Sequence, residues 1–284
     1  TRTYNMYGCQ DNNNDPVPLT INQPQYISTI TTPTGQIDFT YLYDRSDITT
    51  AARLTGITLK SSGGLGVTTL QTYAFDHSYF GSPSLDPKRL RLKLNKITVA
   101  GGTTATATPM DYRVFTYNTT ENLPARDEQV FDYWGYYTAF PLPGSDPMAD
   151  PTLRIPNEAK TKANILTGIK ELTGSTWVID YEQNSYYKTS GGTNANVAVG
   201  GLRVKSISQT LQTGENIQMF YSYQDNTGKS TGQVLTEAYR NLVLTIFGLQ
   251  RVFSEAPANI YDVNGTFIGY SSVKTSYQNG GYIV

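Results

Sequence analysis

Ile37-Asp38-Phe39-Thr40-Tyr41-Leu42-Tyr43 places a large apolar or aromatic residue at every second position. A period of two belongs to a β-strand, whose successive side chains point to opposite faces. Just upstream stand Tyr26-Ile-Ser-Thr-Ile30 and the turn-forming Pro33-Thr34-Gly35, so the stretch reads as the return strand of a hairpin. The same grammar recurs downstream. Leu54-x-x-Ile57 leads to Phe75, Leu94-x-x-Ile97 to Phe115-x-Tyr117, and Val204-x-x-Ile207 to Tyr221-x-Tyr223. A strand out and a strand back, repeated, predicts an all-β (mainly β) chain of antiparallel hairpins laid side by side, with at most short helices. Strands are expected near 37–43, 54–60, 67–75, 89–99, 111–117, 177–181, 202–208 and 218–223.

Between these runs the composition changes. Residues 1–24 are rich in Asn and Pro around Asp11-Asn-Asn-Asn-Asp15-Pro16, which reads as an irregular N-terminal segment and surface loop. Residues 25–140 form a first β-hairpin array. Pro141, Pro143, Pro147, Pro151 and Pro156 make 141–165 a Pro-rich connection that no central strand could accommodate, with one short helix expected at 157–164. Residues 166–284 form a second array, continuous with the first. The interval from Ile30 to Gly35 matches that from Ile169 to Gly174, which suggests related halves. In 234–253, Leu235, Tyr239, Leu242, Ile246 and Leu249 also fit a helical face, but the β-branched and aromatic content of 242–247 assigns it to strand.

The chain has 284 residues, 22 of them Tyr, and a formal net charge of -1. Few charges and many Tyr, Thr, Asn, Gly and Ser residues are typical of secreted or surface β-proteins. The densest basic stretch, Pro87-Lys88-Arg89-Leu90-Arg91-Leu92-Lys93, gives no basis for nucleic-acid binding. No apolar run approaches the ~18 residues of a membrane helix, so no membrane span is expected. The single cysteine, Cys9, has no internal disulfide partner. The chain opens at Thr1 and closes on Gly281-Tyr-Ile-Val284; it reads as a piece of something longer, and Tyr277–Val284 is expected to pair with its own sheet, a neighbouring subunit or a fusion partner.

Tyr261-Asp262-Val-Asn-Gly265 resembles the core of a YD (RHS-type) repeat, and Gly35-x5-Tyr41-x-Tyr43-Asp44 and Tyr223-x-Asp225-x-x-Gly228-Lys229 resemble degenerate copies. Phe131-Asp-Tyr-Trp134-Gly135-Tyr136-Tyr137 and Gly200-Gly201-Leu202-Arg203-Val204-Lys205-Ser-Ile207 resemble signature segments of large surface or secreted proteins of Bacteroidota related to that group. The likeness runs from about Tyr26 to the end, although Thr266-Phe267 stands where the repeat has Arg-Leu. It implies export to the extracellular space or outer cell surface, a long parent protein, and an extended YD/RHS-like sheet or shell. It implies no catalytic residues, and no metal or cofactor is expected. The partners it implies are the remainder of the parent chain or a neighbouring surface protein.

The residues themselves offer few sites. His77 is the only histidine, and its neighbour Asp76 would face the opposite way on a strand. Asp11-x-Asn13-x-Asp15 has the opening spacing of a calcium loop, but Pro16 and Asn22 stand where its turn Gly and bidentate Glu belong. Asp38, Asp44, Asp180 and Glu182 could supply glycosidase carboxylates if a pair lay about 5–10 Å apart in a cleft. Tyr133, Trp134, Tyr136 and Tyr137, with Tyr186 and Tyr187, are candidates for stacking on a glycan, and equally for packing. Asn118-Thr-Thr120 and Asn264-Gly-Thr266 match the glycosylation sequon, which carries little weight in a bacterial protein. The leading reading is a non-enzymatic β-scaffold, with a carbohydrate- or protein-binding module second and a glycoside-acting enzyme third. Trp134, Leu202 and Ile207 are expected to be largely buried.

Overall fold

A computed structural model describes residues 2–10, 16–21, 25–63, 66–82, 86–102, 108–126, 128, 130–138, 154–189, 194–234, 242–246, 249–253, 267–278 and 280–283. Of these, 2–10, 16–21, 242–246, 249–253 and 282–283 are described as backbone only. The chain opens with β1 (Arg2–Gln10) paired to β2 (Pro16–Ile21). This corrects the irregular reading of 1–24, which weighed the Asn-Pro run over the strand residues that flank it.

A meander follows: β3 (Thr29–Thr32), β4 (Gly35–Leu42), β5 (Arg53–Gly63), β6 (Gly66–Phe80), β7 (Arg91–Gly101) and β8 (Met110–Tyr117). After an excursion that includes the one-turn helix α1 (Glu158–Thr161), it resumes as β9 (Leu166–Glu171), β10 (Thr176–Lys188), β11 (Ala195–Thr210) and β12 (Asn216–Ser222). Four short strands lie outside it, β13 (Gly232–Val234), β14 (Leu242–Ile246), β15 (Leu249–Phe253) and β16 (Ile268–Tyr270). Then β17 (Lys274–Tyr277) and β18 (Tyr282–Ile283) extend it beyond β12. The result is one 12-stranded antiparallel sheet from β3 to β18, with β13–β16 and β14–β15 as separate ribbons. Because β8 pairs with β9, the two arrays are one sheet. Of the three expected partners for the last strand, its own sheet is the one found.

The alternation that predicts the strands also sorts the faces. Cross-strand pairs align Phe39 with Ile57 and Ile57 with Tyr73, Phe75 with Ile97, and Phe115 with Ile169 and Ile169 with Trp177. The row continues through Ile179, Ile207, Met219 and Tyr277. The apolar-pair motif therefore places Ile57, Ile97 and Ile207 on one face. The other face carries Asp38, Thr58, Thr72, Lys96, Ser208 and Gln218, with Asp38 paired to Lys60 at 2.6 Å.

Among the described residues within the strands β3 to β12 themselves, only Val99, Gly168, Asn184, Val199, Gly200 and Gly201 are buried. Both faces thus meet solvent, and apolar contacts run along the sheet between neighbouring strands rather than between layers. For this reason Leu202 and Ile207, expected to be buried, are only half-buried. The core is small and local: Trp134, Val199, Phe267 and Ile268, with Tyr133, Tyr136, Tyr186, Val234 and Tyr270 packed against it.

A second tie fixes the loop after β4. The Asp47 carboxylate, 1% exposed, takes a bidentate pair from Arg45 at 2.9 and 2.8 Å and a bond from Arg126 at 2.9 Å. Burial would raise its pKa, but the two guanidiniums outweigh burial and hold it at about 2. A carboxylate with a depressed folded pKa stabilises the fold above its unfolded pKa of 3.8 and loses that contribution as pH falls toward 2. The loss is expected to be about 2 kcal/mol, read as acid destabilisation in urea titrations and absent from Asp47→Asn.

Candidate functional site

The site is built from a turn that the chain uses repeatedly. In 171–175, 211–215, 225–229, 277–281 and 132–136, the fourth residue is a Gly whose N–H donates to the carbonyl of the first, and the first N–H donates to the carbonyl of the fifth. Those glycines, Gly174, Gly214, Gly228, Gly280 and Gly135, all have φ between 80° and 89°. This left-handed position is open to Gly at no steric cost and forms the G1 bulge of a three-residue hairpin loop. Gly35, matched to Gly174 by spacing, sits instead in a two-residue loop that pairs Thr32 with Gly35.

Two of these turns begin with Asp and are bonded alike. Asp225 Oδ1 accepts from the N–H groups of Thr227 and Lys229 at 2.8 and 3.0 Å. Asp132 Oδ1 accepts from Trp134 and Tyr136, both at 2.9 Å. Their surroundings differ. Asp225 is exposed, and its bonds, that from Thr227 first, lower its pKa. Asp132 is 0% exposed, and burial pushes it up to about 6 despite the same backbone donors. Its Oδ2 is buried without a hydrogen-bond partner, as is Trp134 Nε1. Desolvation, not the turn, decides the sign.

What buries Asp132 is a double glycine on β11. Gln183 pairs with Leu202 and Asn184 with Val199, so Gly200 and Gly201 bulge out of the ladder. Asn184 Nδ2 donates to the Gly200 carbonyl at 3.2 Å, and Gln183 Nε2 to the Gly201 carbonyl at 2.7 Å. A Cβ on Gly200 would lie 2.5 Å from Trp134 Cβ and 3.0 Å from Asp132 Oδ2, and one on Gly201 2.9 Å from the Tyr136 ring. The two signature-like segments, 131–137 and 200–207, are therefore the two halves of one joint. Glycine lets the Trp134 Cβ and the Tyr136 ring come this close to the backbone.

Two arginines clamp the joint. Arg154 donates to the carbonyls of Phe131 and Asp132 at 3.3 and 3.2 Å and lies over the rings of Phe131 and Tyr133. Arg203 pairs with Glu182 at 2.7 Å, donates to the Tyr270 hydroxyl at 2.9 Å, and lies 4.4 Å from the Tyr223 ring centroid. Tyr270 in turn donates to Asn184 Oδ1 at 2.9 Å, which ties the β13–β16 ribbon to the bulge.

Tyr133, Trp134, Tyr136 and Tyr186 come together in the core, with Trp134 6% exposed. Tyr137 and Tyr187 are half-buried, with Lys160 and Lys229 respectively over their rings. Each candidate carboxylate is held by its own cation: Asp38 by Lys60, Asp44 by Arg53, Asp180 by Lys205 and Glu182 by Arg203. Asp38 and Asp44, in or just after β4, are separated from β10 by six strand spacings, about 29 Å.

His77 Nδ1 lies 3.1 Å from the Phe75 carbonyl, and burial lowers its pKa. Among the described residues no group of three His, Cys, Asp or Glu could hold a metal, and no helix is long and apolar enough to cross a membrane. The Asp11–Asp15 loop, the Cys9 side chain, Asn264 and the Tyr261-Asp262 repeat lie outside the described residues. If Asp11–Asp15 is a simple turn, EDTA is expected to leave the melting temperature unchanged.

Arg154, Asn184 and Tyr270 escaped sequence reading because nothing local marks them. The D-x-x-G spacing at Asp132 and Asp225 was visible, and it marks the turn. No protein-family model matches the chain, and no curated protein matches it.

Proposed function

We infer that this chain is a non-enzymatic β-scaffold: a shell, stalk or surface-presentation segment of a large, exported YD-repeat-like protein, working against the rest of its parent chain or a neighbouring surface protein. The observation that carries this reading is the fate of the aromatic cluster. Trp134, Tyr133, Tyr136 and Tyr186 spend their surface on the joint with β11 rather than lining an open groove. A glycan platform needs flat aromatic faces in solvent. The ion-paired carboxylates support the same reading, since a general acid needs a raised pKa and a neighbouring partner carboxylate. Asp38 and Asp44 are instead shifted down by their hydrogen bonds to Lys60 and Arg53 respectively.

The test is a screen of the intact chain against polysaccharides and generic glycoside, ester and peptide substrates. No saturable binding or turnover is expected. Binding abolished by Tyr137→Ala or Tyr187→Ala would establish the glycan-binding alternative, and turnover abolished by Asp→Asn at one of the four carboxylates would establish the enzymatic one.

A further inference from the structure

The apolar face of the sheet, whose row residues are half-buried, takes no part in the scaffold joint. Its centre is Ile169, Trp177, Ile179 and Ile207, which with Arg113 and Glu171 line a shallow depression of about 220 Å³. Among the described elements, β4 to β9 and β12 make more than marginal contact only with their neighbours in the sheet. The row from Phe39 on β4 to Tyr277 on β17 crosses ten strands. At about 4.8 Å per strand and two to three side chains in height, that is roughly 43 by 14 Å, or about 600 Å². A monomer's largest apolar patch is about 300–600 Å², and a stable interface covers about 800 Å² per partner, which the polar rim of this row would complete.

We propose that this face is a two-fold interface between two copies of the chain. A two-fold contact requires a self-complementary patch, and the centre of this one carries both signs of charge on adjacent strands. Arg113 and Glu171 pair at 3.1 Å and remain 31% and 25% exposed. Rotated onto itself, the patch can set each of these groups against its opposite on the partner while the isoleucines and Trp177 pack between them. The edges of the sheet are poorer templates. β3 has four residues and β18 two, and short edge strands are a common guard against edge pairing.

Sedimentation velocity of the full chain across the micromolar range tests this. A concentration-dependent dimer is expected, unchanged by removing residues 282–284 or by Val178→Lys on the opposite face. R113E and E171R should each weaken it about tenfold or more by setting like charges together. An equimolar mixture of the two variants should recover dimer, as a heterodimer, because their charges again oppose across the two-fold. A pair acting only within one chain would give no such recovery. Ile207→Ser, a truncation at a half-buried position, gives a second weakening variant, with circular dichroism confirming that each variant keeps its β signature. A monomer at all concentrations, a dimer indifferent to both charge reversals, or one lost with residues 282–284 overturns the proposal.

Discussion

Replacing Trp134 by alanine is expected to lower the unfolding free energy by about 3–5 kcal/mol, the cost of emptying a large aromatic site in a core that cannot collapse around it. Collapse is limited because one wall is backbone: the Trp134 Cβ lies where a Cβ on Gly200 would come within 2.5 Å of it, so that side of the site cannot move inward. The core it belongs to is small, with Val199, Phe267 and Ile268 as its other buried members. Gly200→Ala should approach the same loss from the opposite direction, since its methyl would have to displace the Trp134 Cβ from 2.5 Å. Urea titration of both variants gives the numbers. A Trp134→Ala protein as stable as the parent would mean that the joint contributes nothing to the fold.

Stability is also expected to fall as pH rises from about 4 to about 6, by about 3 kcal/mol in all, through Asp132. The sign follows from the direction of the shift. The folded pKa, about 6, lies above the unfolded 3.8, so the folded chain holds a proton that the unfolded chain has released. The stabilisation is complete below pH 4 and gone once pH passes the folded value. Asp47 acts in the opposite direction and in a lower window, between about 4 and 2. The contributions of these two carboxylates together are greatest near pH 4, while His77, whose pKa burial lowers, acts against Asp132 as pH falls below its unfolded value.

Asp132→Asn tests this assignment. Its Oδ1 can still accept from Trp134 and Tyr136, so the turn survives while the titration disappears. The new amide N–H stands where protonated Asp132 holds an O–H that likewise has no partner, so the variant resembles the protonated parent at every pH in this window. The diagnostic is therefore the slope between pH 4 and 6, not the stability at a single pH. An unchanged slope in the variant would assign the titration elsewhere.

Much of the fold was legible in the sequence because strand periodicity is a local property. Tyr41, Ile57, Ile97 and Ile207 stand at alternating positions, and any sheet that uses this alternation must put its apolar residues on one face. The same locality made the 242–246 strand readable over its helical alternative. In 1–24 the conspicuous Asn-Pro run Asp11–Pro16 outweighs the strand residues on either side of it, although Val17, Leu19 and Ile21 alternate as strand residues do.

What the sequence by itself determined, then, was the all-β class and most strands of the main sheet, since each depends on residues within a few positions of one another. Tertiary structure alone decided where those elements are buried. Asp132 and Asp225 occupy the same turn with the same backbone donors, yet one pKa rises and the other falls because only Asp132 is covered, by a double glycine some 68 residues away on β11. Leu202 and Ile207 look as apolar as Trp134, but a single-layer sheet leaves both of its faces half in water. Burial depends on which distant segment comes to rest on a residue, and alternation within a strand carries no information about that.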